Sequence, residues 1–368
     1  MQSTVFRRKF RGASPHKGDL EDMGKVSAFL KRKNVLFSAK RYGIDAMGAM
    51  AQGLFASLLI GTIIKTLGQQ LNVQFLIDAG NFAQQVAGPA MAVSIGAALS
   101  APQLVLYSLI AVGMAANQLG GAGGPLAVYF ITIVASECGK IVSKETKVDI
   151  LVTPAVTILV GVGLSVLCAP AIGAAASSVG DFIKWATNLQ PLLMGILVSV
   201  VVGMALTLPI SSAAICAALS LTGLAGGAAQ MVGFAVMSFR ENGVGGLVSQ
   251  GLGTSMLQMP NIIRNPRTWI PPTLASAITG PIATCLFHLE MNGPAVSSGM
   301  GTCGLVGQIG VYTGWLNDIA AGTKAAILPM DWVGLILICF VLPAVLTLLF
   351  AFFLRKWGWI KDGDLKLQ

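Results

Sequence analysis

Charge is what this chain most lacks. Only 11% of its 368 residues are Asp, Glu, Lys or Arg, where a soluble globular chain carries about a quarter. That deficit excludes an ordinary soluble domain, which must cover its whole surface with water-compatible groups. Histidine is scarce too, with 2 residues. The 6 cysteines (Cys138, Cys168, Cys216, Cys285, Cys303, Cys339) form no CxxC and no Cys/His spacing. Neither a disulfide framework nor a zinc site is indicated, and no metal or cofactor is expected. The absence of a P-loop, a GxSxG turn or a redox motif argues against an enzyme with covalent chemistry of its own. The first 40 residues are polar and basic, without the short apolar core and cleavage site of a secretory signal.

What is present is apolar. Hydrophobic residues make up 54% of the chain, and the mean hydropathy is +0.75. A membrane-spanning helix needs roughly 20 apolar residues. The expectation is an all-α membrane protein of about ten transmembrane helices, with two re-entrant hairpins and interfacial amphipathic helices. The net charge of +9 is unevenly placed: of 24 Lys and Arg, eleven precede residue 42 and four follow residue 354. Basic residues crowding the ends of apolar spans follow the positive-inside rule. Both termini are therefore expected on the cytoplasmic side of a bacterial-type inner membrane, with the basic tail drawn to anionic lipid rather than to nucleic acid.

Three regions are expected: a basic tail and interfacial helix (1–42), a transmembrane domain (43–356) and a cytoplasmic C-terminal tail (357–368). Apolar runs cover about 43–67, 76–98, 101–119, 122–143, 150–174, 191–209, 211–236, 268–290 and 331–354. The segment at 174–190, with Val179, Phe182, Ile183 and Trp185 beside Asp181 and Lys184, reads as an amphipathic helix in the interface. Two stretches, about 239–267 and 291–324, are too rich in Gly, Ser, Thr, Asn and Gln for lipid exposure and too apolar for simple loops. Non-helical backbone at membrane depth must be buried in protein or line a cavity. Both stretches therefore read as re-entrant hairpins of the kind from which transporters build solute sites.

The run GLGTSMLQMPNIIRNPRTWIPP (251–272) resembles the substrate-hairpin region of membrane IIC subunits of the bacterial sugar phosphotransferase system, with Asn265-Pro266 and Ile270-Pro271 at the family spacing. More closely, residues beyond 40 resemble the PfoR-like IIC family, through GLFASLLIGTIIKTLGQQ (53–70) and CLFHLEMNGPAVSSGMGTCGLVGQIG (285–310) as well. The resemblance implies a homodimer of about ten-helix protomers, with a sugar site near the midplane between the hairpins. If the chain works with phosphotransferase partners, a separate IIB protein would carry out the phosphorylation. One departure stands out: the family's glutamate aligns near Thr254, so that carboxylate is missing.

Sugar hydroxyls call for paired donors and acceptors, and polar groups at membrane depth are candidates by default. Glu241 and Asn242 open the first stretch, and Glu241 could equally pair with Arg240. Gln250, Thr254, Gln258 and Asn261 follow. For Asn261 and Asn265, capping around Pro260 and Pro266 competes with a solute role. The other cluster is His288, Glu290 and Asn292. Residues two apart do not share a helix face, so His288 and Glu290 reach one site only if the helix unwinds at Asn292-Gly293-Pro294; His288 reads alternatively as a packing residue. Asp78, Asn81, Gln84, Gln85, Asn117 and Gln118 are weaker candidates. The function expected is a transporter of a small polar solute, a sugar or polyol. The alternative is a membrane sensor that signals through its basic N-terminal segment.

Overall fold

The computed structural model describes residues 26–186, 189–211, 216, 224–287, 297 and 299–367. The chain divides into two compact units, 1–37 and 38–368. In the first, a short helix covers 26–32, and two cations share one ring: Arg32 and Lys33 lie over Phe29 at 5.1 and 5.8 Å.

The second unit is helical, with no strand among the described residues. Its helices are α1 (Arg41–Leu71), α2 (Gln74–Gln85), α3 (Ala87–Ala98), α4 (Gln103–Gly120), α5 (Gly124–Val142), α6 (Asp149–Ala186) and α7 (Pro191–Thr207). After these come α8 (Leu224–Met237), α9 (Phe239–Val248), α10 (Met259–Arg264), α11 (Ile270–Pro281), α12 (Val306–Ala320) and α13 (Pro329–Lys356). Among the described residues, four helical runs are long and apolar enough to cross a membrane: Arg41–Leu71, Gln103–Val142, Asp149–Ala186 and Pro329–Lys356. Shorter apolar helices accompany them at Ala87–Ala98, Pro191–Thr207 and Leu224–Met237.

The 40-residue run Gln103–Val142 is two helices. Gly121 takes φ 50° and ψ −120°, a conformation closed to side-chain-bearing residues, and α4 and α5 fold back to pack on each other. At about 1.5 Å per residue, the 18 residues of α4 and 19 of α5 each extend roughly 27–29 Å, close to the thickness of a bilayer's hydrocarbon core. Proline marks helix starts, because its missing N–H is not needed there. Pro125, Pro191, Pro271 and Pro329 all stand in first turns, and Ile270-Pro271 opens α11 as its sequence suggested.

One expectation is corrected. The amphipathic segment at 174–190 is not a separate interfacial helix: through Ala186 it continues α6, a single helix of 38 residues. That is about 57 Å at the α-helical rise, far more than one crossing needs. The first part of α6 packs on α4 and α5. Its last turns bury Ile183 and Ala186 against Val198 and Val202 of α7, so α6 ties the N-terminal helices to the C-terminal ones. The apolar run expected at 76–98 is likewise broken into α2 and α3 at Val86.

Two cores result. Met50, Met91, Ile95, Leu109, Val112 and Ile131 fill the space between α1, α3, α4 and α5. A second cluster joins Phe234 and Met237 of α8 to Ile262, Leu354, Ile360 and Leu365. The helices approach closely through small residues: a Cβ on Gly203 of α7 would stand 2.7 Å from the Gly226 carbonyl of α8. Where α1 begins and α3 and α5 end, Lys140 is buried, 2.7 Å from Glu137 and donating to the Leu99 carbonyl at 3.1 Å. Arg41 donates to the same carbonyl. A buried charge is tolerated only when paired in this way, and the Leu99 carbonyl just beyond α3 gains the donors it would otherwise lack.

Candidate functional site

The first Gly-rich stretch folds as short helical pieces. Gly243 breaks α9 at φ 58°, a π turn covers Ser249–Gly253 and a 3-10 turn Ser255–Gln258, and α10 is followed by a second 3-10 turn, Pro266–Trp269. Asn265 accepts from the Arg267 N–H and Thr254 from the Met256 N–H, so both cap local turns, a role the sequence offered for Asn265.

The amides of this stretch are occupied by the chain's own C-terminal segment. Asn242 donates to the Leu365 carbonyl at 2.8 Å and accepts from the Leu367 N–H at 2.8 Å. Gln258 donates to the same Leu365 carbonyl at 3.0 Å and to Gln250 Oε1 at 2.8 Å. Asn261 donates to the Lys366 carbonyl at 3.0 Å. Asn265 donates to the Trp359 carbonyl and to Asp364, both at 2.9 Å, while Arg267 stacks over the Trp359 ring at 5.0 Å. Residues 357–367 thus form a strap sealed by Leu365, which is fully buried. Glu241 pairs with Arg355 of α13 at 3.1 Å. The sequence pointed to neighbouring Arg240 for that role, but α13 carries Arg355 to the carboxylate. Asn261 Oδ1 and Glu241 Oε2 remain buried acceptors without a hydrogen bond. Of the expected site residues, Glu241, Asn242, Gln250, Gln258, Asn261 and Asn265 are brought together in this network. Thr254 is buried beside it, and His288, Glu290 and Asn292 lie outside the described residues.

A second polar region was less legible in the sequence. A cavity of about 550 Å³ opens between α1, α2 and α12, within the 300–1,000 Å³ range of small-molecule sites. Its wall from α1 is Thr62, Lys65, Thr66, Gln69 and Gln70, and its wall from α12 is Val306, Ile309, Gly310 and Thr313. Each set recurs at three- and four-residue intervals and so forms one stripe of its helix. Gln84 of α2 and Ser297 complete the described lining. Thr62 is buried at one end, where its hydroxyl donates to the Leu58 carbonyl and accepts from Gln84 Nε2, both at 2.7 Å. Gln69 and Gln70 are exposed at the other, so the cavity runs from an open mouth to a closed polar floor. The α1 stripe was concealed by its setting inside a long apolar helix. Three-residue spacing of Thr, Lys and Gln between Thr62 and Gln70 was the signal that could have found it.

Comparison with known proteins gives one family. A model described as "Phosphotransferase system, EIIC" matches residues 44–367. No curated protein matches the chain, and no solved structure does.

Proposed function

Because the chain belongs to the EIIC family of the phosphotransferase system, a family of membrane permease subunits, we propose that it carries a small sugar or polyol across a bacterial cytoplasmic membrane by alternating access. The observation that carries this reading is the cavity between α1, α2 and α12. It is large enough for one small solute, and its described polar lining consists of hydroxyls, primary amides and one ammonium. Hydroxyls and amides both donate and accept, which is what a ring of alcohols requires. In this reading about ten helices cross the bilayer with both termini on the cytoplasmic side, and two protomers associate. A separate IIB protein phosphorylates the solute as it leaves. The stretches 239–267 and 291–324 act as the two hairpins that bracket the solute. Solute contact by Asn242, Gln258, Asn261 or Asn265 then requires the strap to leave, whereas the α1–α2–α12 cavity is open with the strap in place. His288, Glu290 and Asn292 are proposed for the second hairpin's share of the site.

The test is thermal stability of the detergent-purified chain against a panel of sugars and polyols. A ligand at 100 times its Kd adds about 2.7 kcal/mol to the folded state. Stabilisation that disappears in Gln84→Ala supports the cavity as the site. The same stabilisation in wild type and Gln84→Ala moves the site elsewhere, with Asn261→Ala and Glu290→Gln as the next variants. Uptake into proteoliposomes that survives deletion of residues 1–40 separates a permease from a sensor, whose output would depend on that segment.

A further inference from the structure

Resting on the reading of the α1–α2–α12 cavity as the solute site, we propose that the solute is an anion: a polyhydroxylated carboxylate, such as an aldonate or uronate, rather than a neutral sugar. The feature that decides this is Lys65. The threonine hydroxyls and glutamine amides of the lining would serve a neutral polyol unaided. An ammonium has three donors, no acceptor and a full charge, and a neutral sugar leaves that charge uncompensated.

Lys65 is half-buried in the cavity wall and makes no ion pair among the described residues. Its stem is fixed by the α1–α2 contact, since a Cβ on Gly80 would stand 2.6 Å from the Lys65 Cβ. The acidic residue of α2, Asp78, is exposed and accepts instead from Gln74, one turn back, at 2.9 Å. No Asp or Glu occurs in the described lining. The opposite wall adds to the positive field. Val306, the first residue of the 15-residue helix α12, lines the cavity; no side chain caps that helix's start, and the Val306 N–H itself donates to the Cys303 carbonyl. A helix N-terminus carries a partial positive charge equivalent to about half an elementary charge. A lysine and a helix start on facing walls favour an anion between them, while the Thr62 and Thr313 hydroxyls, which donate to the Leu58 and Ile309 carbonyls, and the Gln84 amide oxygen remain to accept from its hydroxyls. A single ammonium, with no arginine in the described lining, suits a monoanionic carboxylate better than a phosphate dianion, which draws bidentate guanidinium partners.

The experiment is titration calorimetry on the full-length purified chain with gluconate, glucuronate, glucose, mannitol and glucose 6-phosphate. A charge-assisted hydrogen bond exceeds a neutral one by enough to make the carboxylates bind about tenfold more tightly than glucose or mannitol. Lys65→Gln is expected to remove that preference and Lys65→Arg to retain it, with retention of the neutral sugars' weak affinity showing that the glutamine variant is folded. Neutral sugars binding as tightly as the carboxylates, with Lys65→Gln unchanged, would overturn the charge assignment and leave the cavity reading intact. Preference for glucose 6-phosphate would overturn the carboxylate. If Gln84→Ala leaves every titration unchanged, the cavity reading itself fails, and this inference fails with it.

Discussion

Truncating Leu365 to alanine should release the C-terminal strap without unfolding the helices it covers. Leu365 is fully buried, in one cluster with Phe234, Met237, Ile262, Leu354 and Ile360. Removing such a leucine costs about 2–5 kcal/mol, from lost transfer free energy and the cavity left behind. The other ties include hydrogen bonds that the Asn242, Gln258 and Asn261 amides donate to the Leu365 and Lys366 carbonyls and one that the Leu367 N–H donates to Asn242, each worth about 0.5–1.5 kcal/mol net. They work against the entropy of ordering the segment, about 1–2 kcal/mol per residue for the backbone alone. A docked terminal segment therefore opens locally at far lower cost than global unfolding, and losing even 2 kcal/mol multiplies its open fraction by about 30. Trypsin reads this directly. Lys361 is exposed, but the following turn is held by the Lys361 N–H bond to Asp364 at 2.8 Å and the Asn265 bond to the same carboxylate. Under conditions where reclosing outpaces cleavage, the rate of cutting after Lys361 should rise about 30-fold or more in Leu365→Ala. A rate within twofold of wild type would refute the reasoning, since it would mean that Leu365 does not hold the strap.

The remaining predictions concern the body of the protein. Lys140→Met removes the ammonium that pairs with the buried Glu137 carboxylate at 2.7 Å, leaving it the Tyr42 hydroxyl, and should cost about 3 kcal/mol in a thermal or denaturant melt. The double variant Lys140→Met with Glu137→Leu should recover most of that loss. Gly203→Val places side-chain atoms against the Gly226 carbonyl, where even a Cβ has only 2.7 Å; forcing α7 off α8 should destabilise by about 1–3 kcal/mol. By comparison Gly163, with nothing near its Cβ position, should accept alanine with no loss in the same melt. Arg355→Ala deprives Glu241, whose side chain is 9% exposed, of its 3.1 Å partner, and Arg355→Ala with Glu241→Gln should melt higher than Arg355→Ala alone.

The two polar regions differed in how readable they were, and the reason is physical. A cluster of amides within one short stretch, such as Gln250 to Asn265, advertises itself in sequence because polar groups in an apolar setting must find partners. Which partner they find is not local. Here it is the backbone of residues more than 90 positions away, and a carbonyl carries no side-chain signature. The cavity shows the converse. Thr62, Lys65, Thr66, Gln69 and Gln70 form a single stripe along α1, diluted by apolar neighbours, and Thr313 stands far along the chain on α12.

By itself the sequence determined the class, the family and most helix boundaries. Scarcity of charge dictates a membrane setting, the spacing of apolar runs dictates helices, and prolines placed for first turns set where they start; each of these acts over a few neighbouring residues. Tertiary structure alone decided that α6 continues unbroken to Ala186, that Arg355 rather than Arg240 meets Glu241, and that residues 357–367 dock on the first Gly-rich stretch. Those outcomes depend on which helix faces meet. Every buried donor, acceptor and charge must be satisfied at once across the whole fold, and no local stretch of sequence contains that sum.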